Sequence, residues 1–257
     1  MDNLGHLALL LVAAFAAGAL NAVAGGGSFL TLPALVFTGV PPVVANATGT
    51  VALLPGYMAG AWGFKDDMQS PPGLSMKQVI ALSLVGGSAG AALLLFTPDE
   101  TFRKVVPWLL LAATAMFAFA PQLRAWASGK NAGSATLKAT NTSKAAIGML
   151  IVTVYGGYFN GGLGILLLAL FGLLGQTQLN AMNGMKNLVS ALLTAIAVTI
   201  YAVGGIVQWE QALVMMVAAT AGGYGGARVA RKIPAHILRW GIVATGLVMA
   251  GLFFARG

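Results

Sequence analysis

The sequence contains no cysteine, which excludes a disulfide framework, a thiolate metal centre and a cysteine nucleophile. Carboxylates are almost as scarce. Asp2, Asp66, Asp67, Asp99, Glu100 and Glu210 are the six acidic residues, and all fall near predicted helix ends or in loops. The two histidines, His6 and His236, are not central in any apolar run. With no carboxylate pair or histidine cluster at membrane depth, a metal-cation carrier, an intramembrane enzyme and proton coupling through a central acid are all disfavoured. No metal and no cofactor is expected. Coupling through a protonatable substrate stays open.

Charge as a whole is sparse: 8% of residues are charged and 58% hydrophobic, against roughly 25% charged in an ordinary soluble domain. A soluble fold is excluded. Apolar runs near 45–64, 78–97, 105–121, 184–206, 211–227 and 237–255 approach or exceed the roughly 20 residues that cross a bilayer. The chain reads as an all-α polytopic membrane protein surrounded by lipid. Met1 to Leu11 has no Lys or Arg and opens an apolar run too long for a signal peptide, so this segment is expected to stay in the mature protein.

The formal net charge is +8, but the basic residues are scattered over loops and helix ends without interleaved aromatics, so no nucleic-acid partner is expected. Orientation in the membrane accounts for them. The stretch Gln122–Lys144 carries Arg124, Lys130, Lys138 and Lys144 and no acid. It reads as a basic cytoplasmic linker, 122–144, between a first transmembrane repeat, 1–121, and a second, 145–257.

An offset of about 136 superposes Gly86, Gly87, Gly90, Ala91, Pro98 and Arg103 on Gly222, Gly223, Gly226, Ala227, Pro234 and Arg239, and Gly25 and Gly26 on Gly161 and Gly162. With one insertion Asn46 falls on Asn183. Matches concentrated at glycines, a proline and a polar residue indicate an internal duplication. Each half opens on an apolar stretch broken by glycines: AVAGGGSFLTLPAL in the first and YGGYFNGGLGILLLAL in the second. Residues 4–38 are too long for one crossing and too short for two, and too few residues flank Asn160–Gly162 for a full span on either side. Each half is therefore expected to begin with a broken helix or re-entrant hairpin, followed by three transmembrane helices. If each hairpin returns to its starting side, the linker, the Lys65 and Lys77 loop and the Arg231 and Lys232 loop all lie in the cytoplasm. Three crossings per half make the two repeats inverted and place both termini outside.

Irregular backbone is tolerated at membrane depth only inside protein or beside a water-filled cavity, and a half-helix that starts there aims its positive dipole end at the cavity. An anion is the natural guest. The candidate binding residues are Gly25, Gly26, Gly27 and Ser28 in the first turn and Asn160, Gly161 and Gly162 in the second, with Asn46, Thr48, Thr50, Asn183 and Asn187 at the starts of the next helices. Ser28 either caps the half-helix or donates to a ligand, and the amides either meet an anion or bond between helices. Lys186 lies several residues inside an apolar segment with no acid near it in sequence; it either snorkels to the surface or supplies a positive charge to the site. The pairs Gly86 with Gly90 and Gly222 with Gly226 fit close helix packing. The lone GxG at Gly162 and Gly164 lacks a dinucleotide-binding context, and the sequons at Asn46 and Asn141 are intramembrane and cytoplasmic, respectively.

The opening GALNAVAGGGSFLTLPALVFTGVPPVVANATGT and its echo GGYFNGGLGILLLALFGLLGQTQLNAMNGMKNLVSALL resemble the TauE/SafE family of sulfite exporters and related anion permeases, over almost the whole chain. The resemblance implies a secondary transporter of small sulfur-containing anions (sulfite, thiosulfate or an organosulfonate) in the cytoplasmic (inner) membrane of a prokaryote, and export as its direction. A carrier for another small anion such as a carboxylate, and an anion channel, remain alternatives. One departure from symmetry is internal: Gly49 and Thr50 stand near where the second half has Lys186 and Asn187.

Overall fold

The computed structural model describes residues 3–23, 25–119, 142–226 and 235–256. Among them are ten α-helices and no strand. The first half comprises α1 (Asn3–Val23), α2 (Ser28–Phe37), α3 (Pro42–Gly63), α4 (Met76–Leu95) and α5 (Asp99–Ala118). The second comprises α6 (Thr142–Tyr158), α7 (Leu163–Leu173), α8 (Leu179–Val203), α9 (Trp209–Ala221) running into a π-helical turn at Gly222–Gly226, and α10 (Ala235–Arg256). The basic linker falls on residues outside the described ones up to 141, and Thr142–Lys144 form the first turn of α6.

Local chemistry sets the helix ends. Pro41 and Pro42 start α3, where missing amide hydrogens cost nothing. Ser75 and Gln78 form a reciprocal capping box at the start of α4. Asp99 opens α5 and accepts a 3.0 Å hydrogen bond from the Val43 amide, so one carboxylate serves the first turns of two helices and ties them together. The short helices α2 and α7 end alike: the Val40 and Gln176 amides reach back to the Leu35 and Phe171 carbonyls, and those of Gly39 and Gly175 to Val36 and Gly172, the bonding pattern of a Schellman cap.

The helix breaks are asymmetric. At 21 residues, α1 is about 31 Å long and crosses a bilayer by itself; with Met76–Leu95 and Leu179–Val203, its Leu4–Ala22 stretch is one of three described segments long and apolar enough to do so. The shortfall expected between residues 4 and 38 therefore lies wholly in α2, whose 10 residues span about 15 Å. In the second half 17 residues precede the break and 11 follow it.

Contacts sort the helix ends into two groups. A cavity of about 850 Å³ is lined by the start of α1 (Leu9), the end of α2 (Phe37), the start of α5 (Asp99) and the end of α10 (Phe253), so the chain's two terminal helices begin and end at the same pole. The turn after α7 lies at the opposite pole, where the Gln176 side-chain amide donates to the Gln69 carbonyl at 2.8 Å. The start of α8 joins it there, with Gly184 against Phe64 and Met68. Each short helix thus returns to the pole from which the helix before it set out.

Glycine lets the long helices touch. A Cβ on Gly86 would overlap Thr153, and one on Gly90 would overlap the Val154 carbonyl, both across the α4–α6 contact. At the α1–α9 contact Gly18 meets the Ala219 backbone and Gly222 the Phe15 carbonyl. Such close approach brings dispersion contacts that larger residues would forbid. Leu4, Val12, Phe96, Trp108, Val203 and Val217 are exposed on the outer surface, as on a protein whose solvent is lipid, and Lys65 lies over the Trp62 ring at 4.5 Å near one helix end.

Replacing Gly90 with Leu is expected to force α4 and α6 apart and lower the melting temperature in detergent by many degrees, on the order of 3 kcal/mol or more. Gly56→Ala, at a position with nothing within 4 Å of an added Cβ, should leave it unchanged or slightly raised, and equal effects of the two substitutions would contradict the packing described.

Candidate anion site at the paired helix breaks

Both breaks need backbone that L-residues avoid. Gly25 has φ +81° before α2, and Asn160 and Gly162 have φ +59° and +72° before α7. Asparagine is among the few side chains that tolerate this region. The chain ends freed by the breaks are then tied down from several helices. Asn46 of α3 donates to the Tyr158 carbonyl at 2.9 Å, Tyr155 of α6 to the Gly161 carbonyl at 2.6 Å and Tyr201 of α8 to the Gly157 carbonyl. The Tyr57 hydroxyl of α3 donates to Asn160 Oδ1 at 3.3 Å, and Asn21 Oδ1 accepts from the Gly27 amide at 3.5 Å. The bonds to Gly157 and Tyr158 occupy carbonyls that the C-terminus of α6 leaves unpaired, and Asn21 takes up an amide at the start of α2.

The two breaks meet. A Cβ on Gly25 would lie 3.0 Å from Gly164 Cα, and one on Gly164 would lie 3.0 Å from Gly25 Cα and 3.2 Å from Lys186 Cδ. The lysine stem thus runs beside the junction. Lys186 is 2% exposed and, among the described residues, is the charged member of the buried set, so it does not reach a surface by snorkelling. Its counterpart region in the first half has no room for such a side chain, because a Cβ on Gly49 would already stand 2.8 Å from Thr31 Oγ1.

The remaining candidates divide. Gly26, Gly161 and Gly162 are buried at the breaks. Ser28 does not cap α2: Gly27 holds the cap position without a side-chain bond, and the buried Ser28 Oγ has no protein hydrogen-bond partner, as is true of Asn160 Nδ2. The Asn187 amide fills the space over Gly60 of α3, with Asn183 half-buried one turn earlier. Thr50 bonds back to the Asn46 carbonyl at 2.7 Å. Thr48 is not brought to this group; its hydroxyl accepts from the Gln208 amide at 3.1 Å and holds the start of α9. Sequence reading passed over Tyr57, Tyr155 and Tyr201, which fasten the second break, although a phenol inside an apolar span signals a hydroxyl that must find a partner. The 850 Å³ cavity reaches Phe29, whose ring lies 3.8 Å from a Cβ placed on Gly162, so this ring touches both the cavity and the second break.

Ten helices among the described residues, two of them half-length and with their breaks touching beside a buried lysine, define a polytopic membrane protein. The sulfite exporter TauE/SafE family model matches residues 10–253, and the chain belongs to that family. It is 28% identical to a "Probable membrane transporter protein" of Haemophilus influenzae over 95% of this chain and 92% of the relative. It is 26% identical to the "Probable membrane transporter protein YfcA" of Escherichia coli K12 over 95% and 88%. It is 32% identical to the "Probable membrane transporter protein ORF9" of Sinorhizobium sp over 46% of this chain and 44% of the relative. No solved structure matches.

The conformation of Asn160 is directly testable. Asn160→Gly is expected to keep the fold within a few degrees of the wild-type melting temperature. Asn160→Val, β-branched at positive φ, should cost on the order of 1–2 kcal/mol. Valine tolerated as well as glycine would refute the left-handed conformation.

Proposed function

We propose that this protein is a secondary transporter that exports small sulfur-containing anions, such as sulfite, thiosulfate or an organosulfonate, across the cytoplasmic membrane of a prokaryote by alternating access. The observation that carries the reading is the position of Lys186, buried where Gly25 and Gly164 touch. Its side chain runs beside the junction and brings positive potential to it. The N-terminal ends of α2 and α7 add the positive ends of two short dipoles. Ser28 Oγ and Asn160 Nδ2, both buried without a protein partner, supply donors for anionic oxygens, with the backbone of Gly25, Gly26, Gly27, Gly161 and Gly162 allowing close approach. Asn46 and Tyr57 hold the second break, Thr50 braces the Asn46 carbonyl within α3, and Asn183 and Asn187 complete the polar face of α8.

We further infer that the two halves are inverted repeats. The neighbour relations support this: α4 packs on α6 as α9 packs on α1, α4 on α8 as α9 on α3, and α5 on α10, which is the pattern left by exchanging the halves. The short helices share one cap geometry, and each returns to its own pole. Rocking of one repeat against the other around a fixed midplane site is the motion such an architecture permits. The concentration of lysine and arginine at the linker pole supports placing it in the cytoplasm and both termini outside.

Two measurements test these readings. In proteoliposomes, Lys186→Ala is expected to lower saturable flux of the transported sulfur anion at least tenfold while the melting temperature in anion-free buffer holds; undiminished flux would remove Lys186 from the site. A reporter fused after residue 257 should be active only outside the cytoplasmic membrane, and cytoplasmic activity would overturn the topology.

A further inference from the structure

Serine and threonine hydroxyls inside helices ordinarily bond to the carbonyl one turn back. Several residues follow that habit: Thr50, Ser83, Thr153, Thr199 and Thr220 each donate to the carbonyl four residues earlier. Among the described residues, five buried helical hydroxyls depart from it: Ser28 and Thr31 of α2, Thr114 of α5, and Ser190 and Thr194 of α8, the last two being the pair that shares a helix with Lys186. Both are 0% exposed, and neither hydroxyl has a hydrogen-bond partner in the protein. A buried hydroxyl left without a partner costs stability, and the near carbonyl that would relieve the cost is not used. Their spacing supplies the second observation. Lys186, Ser190 and Thr194 stand at i, i+4 and i+8, one face of the helix, rising about 6 Å per step.

We propose that Lys186, Ser190 and Thr194 form one anion-coordinating track on the buried face of α8, in which the two hydroxyls donate to the oxygens of a sulfite- or sulfonate-type oxoanion. This rests on the anion reading of the Lys186 site and extends that site toward the middle of α8. An oxoanion is short compared with the roughly 12 Å between the first and last positions of the track, so it engages neighbouring pairs, Lys186 with Ser190 or Ser190 with Thr194. The hydroxyls discriminate by geometry, since an oxoanion presents several acceptors and can take more than one donor at once.

The test is thermal stabilisation of the full-length purified protein by sulfite, thiosulfate, methanesulfonate, acetate and chloride, each titrated to an apparent Kd. Ser190→Ala and Thr194→Val remove the hydroxyls at nearly constant shape. In anion-free buffer both are expected to melt at or above the wild-type temperature, because an unsatisfied buried group is lost, while the Kd for the stabilising sulfur anion rises about tenfold or more. Ser190→Thr and Thr194→Ser, which keep the hydroxyl, should restore affinity to within about twofold. Ser83→Ala, which removes an equally buried hydroxyl bonded to its own helix, should leave Kd unchanged. Wild-type affinity in both deletion variants, or an equal loss in Ser83→Ala, overturns the track while leaving the anion site intact. Absence of stabilisation of the wild type by every anion instead refutes the anion reading itself, and the track falls with it.

Discussion

Everything in this molecule depends on one constraint: a backbone amide or carbonyl at membrane depth must find a partner inside the protein. The ten α-helices of the described residues meet it almost everywhere by internal bonding. At Gly25–Gly27 and Asn160–Gly162 the helices are interrupted, and side chains reach in to take up the freed backbone groups. Tyr57, Asn46 and Tyr201 come from α3 and α8 to hold the second break, and Asn21 crosses the first. A break secured this way from several directions becomes a rigid polar centre in an apolar body, which is the condition for binding a charged solute selectively.

Glycine resolves the accompanying packing problem. Helices in lipid gain no hydrophobic drive from meeting each other, so close contact has to come from small residues. Gly86 and Gly90 bring α4 onto α6, and Gly18 and Gly222 bring α1 and α9 together. At the centre the same residue type lets the two breaks touch at Gly25 and Gly164 with the Lys186 stem beside them. Side chains at those positions would separate the breaks and dissolve the junction, so scaffold packing and site geometry are the same set of contacts at different heights.

Much of this was legible in the chain. The glycine runs announced both breaks, because glycine in a long apolar segment has a conformational purpose, and Lys186, with no acid near it in sequence, marked a charge that would either snorkel or be buried. Other roles were not legible. Ser28 has the composition of a cap, yet α2 begins one residue too early for it to serve as one. Thr48 sits two residues from Asn46 and therefore on the opposite side of α3, where it meets Gln208 rather than the breaks. Asn46 looked like a donor to a ligand, but its amide is engaged by the Tyr158 carbonyl, a partner 112 positions away in the chain that no local pattern could name.

By itself, then, the sequence determined the solvent, the helical class, the places where helices stop and the sign of the buried charge, since these follow from composition, apolar run length and glycine placement. Only the tertiary structure decided that the first break has one full-length and one short arm, that the two breaks meet, and which hydroxyls are spent within their own helices. The meeting of the breaks depends on a contact between Gly25 and Gly164, far apart in the chain, where the partner, and not the residue type, sets the role.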